Sequence, residues 1–169
     1  MRTIIKTIDS ISEFMGRTMR WACVGLVAVV VYEVTARYVF NAPTIWAFEM
    51  VGMLLCTIGA LGWAYTHLHH GHVRVDVFYS HLSPRGRAII DVGGYLIFFF
   101  PLLIMLVYYS AQGAWFSYSI GERLIEGYWY PPAFPIRTVM FIGASLFLLQ
   151  GVAQFTRALY QLIRNKPYD

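Results

Sequence analysis

Glu33 and Arg37 stand four residues apart. Asn41 comes four later, and Trp46 and Glu49 close the stretch "RYVFNAPTIWAFEM" between two apolar runs. An acid and an arginine at this spacing share one face of a helix, with the acid on the favourable N-terminal side. Glu49 falls about one turn into the following helix, near the same corner. A lone charge in hydrocarbon costs on the order of 3 kcal/mol even on the lenient insertion scale. Such a group is therefore either a proton or ion relay or part of a polar clasp that fixes two helices or docks a partner. Arginine stays charged and neutralises one acid, which favours the clasp.

A second group is His67, His69, His70 and His72, with His81 further on. The spacing "HLHHGH" would suit a metal ion, but it lacks cysteine. It also sits at a helix end, where imidazole is favourable against the helix dipole. Haem needs axial histidines at membrane depth, usually on two helices. No histidine lies inside the first, third or fourth apolar run. Cys23 and Cys56 lie in apolar runs and read as packing residues. There is no phosphate loop, zinc-peptidase motif or nucleophile triad. The expectation is a protein that is not an enzyme and holds no metal or cofactor.

The elements that must carry these groups are membrane helices. The 169 residues are 58% hydrophobic, 17% aromatic and 13% charged, about half the charge of a soluble domain. The net charge of +4 is modest and gives no argument for nucleic acid. Four runs reach the roughly 20 apolar residues that a bilayer core requires. They span about 21–40, 45–66, 87–118 and 136–160, in one membrane domain over 1–169. Pro101 should kink the third. Ser83-Pro84 reads as its N-cap and first helical position. Before the first span, Ile4, Ile8, Ile11 and Met15 share one face, which predicts a short amphipathic helix in the membrane interface. The fold class is thus an all-α integral membrane protein of four transmembrane helices plus this N-terminal interfacial helix. Small residues recur at Gly52, Cys56, Ala60 and Ala64, a stripe for close helix packing or a subunit interface. Lys and Arg concentrate in the N-terminal segment, the second loop and the C-terminal tail, which places both termini in the cytoplasm.

The stretch "RYVFNAPTIWAFEM", then an apolar span, then "HGHVRVDVFYSHLS", resembles the DctQ-type small membrane subunit of tripartite ATP-independent periplasmic (TRAP) transporters. The first motif is similar to the family's pattern at Arg37, Tyr38, Phe40, Asn41, Trp46 and Glu49, the second at Gly71, His72 and Asp76. The resemblance covers almost the whole chain. It implies a bacterial inner-membrane scaffold subunit without a transport path of its own. Its partners would be membrane lipids, a large elevator-type subunit carrying the substrate and sodium sites, and a periplasmic protein delivering an organic acid. The corner around Glu33, Arg37, Asn41, Trp46 and Glu49 then reads as a structural clasp. The loop residues Glu122, Arg123, Glu126, Tyr128 and Trp129 mix charge with aromatic surface, as docking surfaces do, and are candidates for contact with the binding protein. Two rival readings are a self-contained proton-coupled exporter, which needs an acid free of arginine, and a membrane anchor for a redox enzyme.

Overall fold

A computed structural model describes residues 2–69, 71 and 83–164. Its helices are α1 (Arg2–Tyr38), α2 (Ala47–Leu68), α3 (Pro84–Gly94), α4 (Phe100–Ile120) and α5 (Phe134–Arg164), with a π-helical turn at Tyr95–Phe99 joining α3 to α4. Four helical runs are long and apolar enough to cross a membrane: Thr3–Tyr38, Ala47–Leu68, Arg85–Ile120 and Phe134–Arg164. The described residues contain no strand, only an isolated bridge between Arg123 and Pro132.

The N-terminal amphipathic segment is not a separate interfacial helix. It runs without a break into the first span as the front half of α1. No proline separates the two, a single Gly16 is tolerated inside a helix, and extending a helix is easier than nucleating a second one. The side that meets protein is a neighbouring strip: Ile5 and Ser12 are buried, and Gly16 lies so close to the ring of Tyr65 that a Cβ there would overlap it, whereas Ile4 and Ile11 of the apolar face stay exposed.

Ser83 caps α3, its hydroxyl accepting from the Gly86 N–H at 3.2 Å. The kink expected at Pro101 takes the form of the π turn just before it. Proline has no N–H to offer the carbonyl four residues back, and its ring crowds that carbonyl. Widening the preceding turn relieves the conflict.

The helices form a row. α2 and α5 are the central pair, α1 packs on α2, and α3 and α4 pack on α5. The buried apolar residues are nearly all alanines, among them Ala60, Ala64, Ala144 and Ala153. Ala60 serves the contact between α2 and α5, and Ala64, one turn on, is fully buried. A Cβ on Gly143 would strike the Ala60 carbonyl, and one on Gly151 would strike the Phe99 ring. Gly52, by contrast, has open space in front of it, as do Gly59 and Gly62, and Cys56 is half-buried. The small-residue stripe therefore divides between an internal face and an open one.

Gly143→Leu should force α2 and α5 apart and cost about 1–3 kcal/mol, read as a lowered SDS-unfolding midpoint in mixed micelles. Gly59→Leu, facing open space, should stay within about 0.5 kcal/mol of wild type. Equal midpoints for the two variants would refute the close-packing account.

Candidate functional site

The polar groups gather at the two ends of the row. At the α1–α2 corner, the Arg37 guanidinium donates to Glu33 Oε1, with Nε at 3.0 Å. Glu33 Oε2 reaches across the corner and accepts from the Thr44 N–H at 3.1 Å and from the Thr44 hydroxyl. Thr44 is thus the residue that joins the corner to the pair, and the motif pattern passed over it. Asn41 contributes conformation. Its φ of 49° lies in the left-handed region, which asparagine tolerates better than most residues. The turn lets the Ala42 N–H donate back to the Ala36 carbonyl at 2.9 Å. Trp46 stacks on Tyr32, ring centroids 5.9 Å apart.

Glu49 stands apart from this group. It is 3% exposed, and it faces the loop between α4 and α5 rather than Arg37. Its Oε1 accepts from the Trp129 N–H at 3.4 Å, and Gly127 lies against its carboxylate too closely for any Cβ. Its Oε2 is buried with no hydrogen-bond partner.

That loop is tightly built. Gly121 ends α4 with a φ of 62°, and Tyr130 turns the chain back with a φ of 51°. Backbone bonds from the Leu124 N–H to the Pro131 carbonyl (2.9 Å) and from the Ala133 N–H to the Glu122 carbonyl (2.8 Å) close it. Glu122 accepts from Arg137 at 2.6 Å. Arg123 donates to the Tyr130 carbonyl at 3.1 Å. Of the loop residues singled out for docking, Glu122, Arg123 and Trp129 make hydrogen bonds within the chain, Trp129 through its backbone N–H, while Arg123, Glu126, Tyr128 and Trp129 are exposed.

At the opposite end lies a network that the motifs did not reveal. Ser12 Oγ donates to Gln150 Oε1 at 2.8 Å. Gln150 Nε2 donates to Asp9 Oδ1 at 3.1 Å, and Arg157 pairs with Asp9 Oδ2. Gln150 is fully buried and Ser12 nearly so. Beside them, Glu13 pairs with Arg17 (3.0 Å) and with His69 (2.8 Å). His67 meets the Tyr95 hydroxyl at 3.0 Å and stacks on Phe99. The signal was present: Gln150, Gln154 and Arg157 recur at helical spacing in an otherwise apolar span. Gly71 is described, with its N–H donating to the Thr66 carbonyl at 2.8 Å. His70, His72, Asp76 and His81 lie outside the described residues.

Long apolar helices, polar groups gathered at both ends and a core of small side chains define a multi-pass helical membrane protein. Residues 26–161 match the family described as "Tripartite ATP-independent periplasmic transporters, DctQ component". The chain belongs to the DctQ family, a component of TRAP transporters, and is a multi-pass inner-membrane protein. It is also 30% identical over 81 residues to a protein of Haemophilus influenzae (strain 86-028NP), the "Sialic acid TRAP transporter permease protein SiaT". That stretch is 48% of this chain but only 12% of the relative.

Gln150→Leu should leave Ser12 and Asp9 each short of a partner and cost about 1–3 kcal/mol. The front half of α1 should loosen first, seen as faster amide exchange over residues 5–16 while α4 keeps its protection. Unchanged exchange there would show that the network does not hold α1.

Proposed function

We propose that this chain is the small scaffold subunit of a sodium-coupled TRAP transporter importing an organic acid that a periplasmic binding protein delivers. The observation that carries this reading is the α2–α5 contact. Alanine and glycine close the centre of the row, and the polar groups described above lie at its ends, most of them paired within the chain. That arrangement leaves little for a solute path. A transporter's site normally uses discontinuous helices whose half-helix ends face the substrate. Here one π turn interrupts one span. The apolar flanks of the row are suited instead to lie against lipid and a larger membrane subunit. The relative matched above is several times longer than the aligned stretch, in keeping with a small unit working beside a larger one.

The chain's two ends divide the roles. We place the termini, with the Asp9–Gln150–Arg157 network, on the cytoplasmic side, where Lys and Arg concentrate. The α1–α2 corner and the 121–133 loop then face the periplasm, and the exposed Tyr128 offers the binding protein an aromatic contact. One feature favours the exporter alternative: Glu49 is an acid without an arginine partner among the described residues. It faces a loop at one end of the row, however, not a path across it.

Reconstitution separates the readings. The large subunit with this chain, a sodium gradient and loaded binding protein should transport; omitting this chain should abolish uptake. Saturable uptake by this chain alone would refute the scaffold role. For orientation, a reporter fused after Asp169 should be active in the cytoplasm, and periplasmic activity would reverse the assignment.

A further inference from the structure

We infer that the groove beside Glu49 receives a basic side chain, Lys or Arg, presented by a membrane helix of the larger subunit. The inference rests on the docking proposed above and names its chemistry. The groove holds about 350 Å³ between α2, the 121–133 loop and the start of α5, lined by Phe48, Glu49, Gly52, Leu55, Glu126 and Ile136 among others. Two carboxylates line it and no Lys, Arg or His does.

Charge selects the occupant. Asp9, Glu13, Glu33 and Glu122 each hold a basic side chain within the chain. Glu49 and Glu126 hold none among the described residues. Glu49 is the extreme case, 3% exposed with Oε2 unpartnered. A buried carboxylate in that state is costly until a cation and further hydrogen bonds meet it. A guanidinium or ammonium in the groove would be drawn by both acids at once.

Shape selects a helix as the carrier. Gly52 lines the groove, and Gly59 lies seven residues on, hence on the same face of α2. A Cβ at either would meet nothing within 4 Å in this chain. Two open glycines a heptad apart let a second helix backbone come close, which an acyl chain does not require. The carrier thus brings an apolar helix to the glycines and a cation to Glu49 and Glu126.

The test is assembly with the co-expressed large subunit, measured by size exclusion in mild detergent, beside the unfolding midpoint of the chain alone. Glu49→Gln combined with Glu126→Gln keeps shape and the acceptor for the Trp129 N–H but removes both charges. The assembled fraction should fall about tenfold or more with the midpoint of the isolated chain no lower than wild type, and raised by loss of the uncompensated charge. Gly52→Leu should lower assembly in the same way, again without loss of midpoint. Wild-type assembly by the charge-neutral variant and by Gly52→Leu would overturn the inference while leaving the scaffold reading intact. Native mass spectrometry reads the lipid occupant: phosphatidylethanolamine held by wild type and lost from the double variant, with assembly unchanged, would also overturn it. A wild-type chain that fails to assemble with the large subunit would sink the scaffold reading and this inference together.

Discussion

The close approach of α2 and α5 at Ala60 and Gly143 is the contact on which the rest of the molecule depends. In lipid, apolar surface has no preference for protein over acyl chains, so helices associate through van der Waals packing where their backbones can come near. Gly143 admits the Ala60 carbonyl where no side chain would fit. With α5 seated on α2, its remaining faces become the platform for α3 and α4 and for the front half of α1. Gly151 against Phe99 repeats the device on the α3–α4 side, and Gly16 against Tyr65 repeats it on the α1 side. Glycines thus mark these three helix contacts.

Polar bonds then lock what packing brings together. Glu33 ties the end of α1 to Thr44 just before α2. Glu122 and Arg137 brace the loop against α5. At the other end Asp9, Ser12, Gln150 and Arg157 satisfy one another across α1 and α5. Such a network is stabilising only because its members are paired, since the low dielectric strengthens each bond and penalises each orphan equally. A row locked at both ends and filled with small residues in the middle suits a rigid support better than a moving part. Glu49 is the exception. Glu122 Oε2 is likewise buried without a hydrogen bond, but Glu122 has Arg137 beside it; Glu49, more deeply buried, has no basic partner among the described residues, and that contrast is what points outward to a second protein.

The aromatic 121–133 loop connects these themes. Its backbone is held by its own bonds and by left-handed turns at Gly121 and Tyr130, so it can cover Glu49 with the Trp129 N–H while Tyr128 remains exposed. The same segment therefore shapes the groove on α2 and presents an aromatic face at the end of the row.

Much of this was legible in the residues themselves. The four spans, the Ser83 cap, the disturbance before Pro101 and the i,i+4 pairing of Glu33 with Arg37 depend on local periodicity, sterics and backbone chemistry, which a linear sequence carries. The family pattern was legible too, because its motifs sit at fixed places between spans. The partners of groups distant in sequence were not. Glu49 looked like a member of the Arg37 corner because the two are near in the chain; the fold turns it 80 residues ahead to Trp129. The stripe Gly52, Cys56, Ala60 and Ala64 looked like one face, yet only its later half is buried, with Ala60 against α5. The N-terminal segment looked like a helix of its own because periodicity does not mark where one helix ends and the next begins; it continues into the first span, and the strip with Ser12 and Gly16, not the exposed Ile4 and Ile11, meets the other helices. Spacing determines which side chains share a helix face; which neighbour that face meets was decided by packing among helices far apart in the chain.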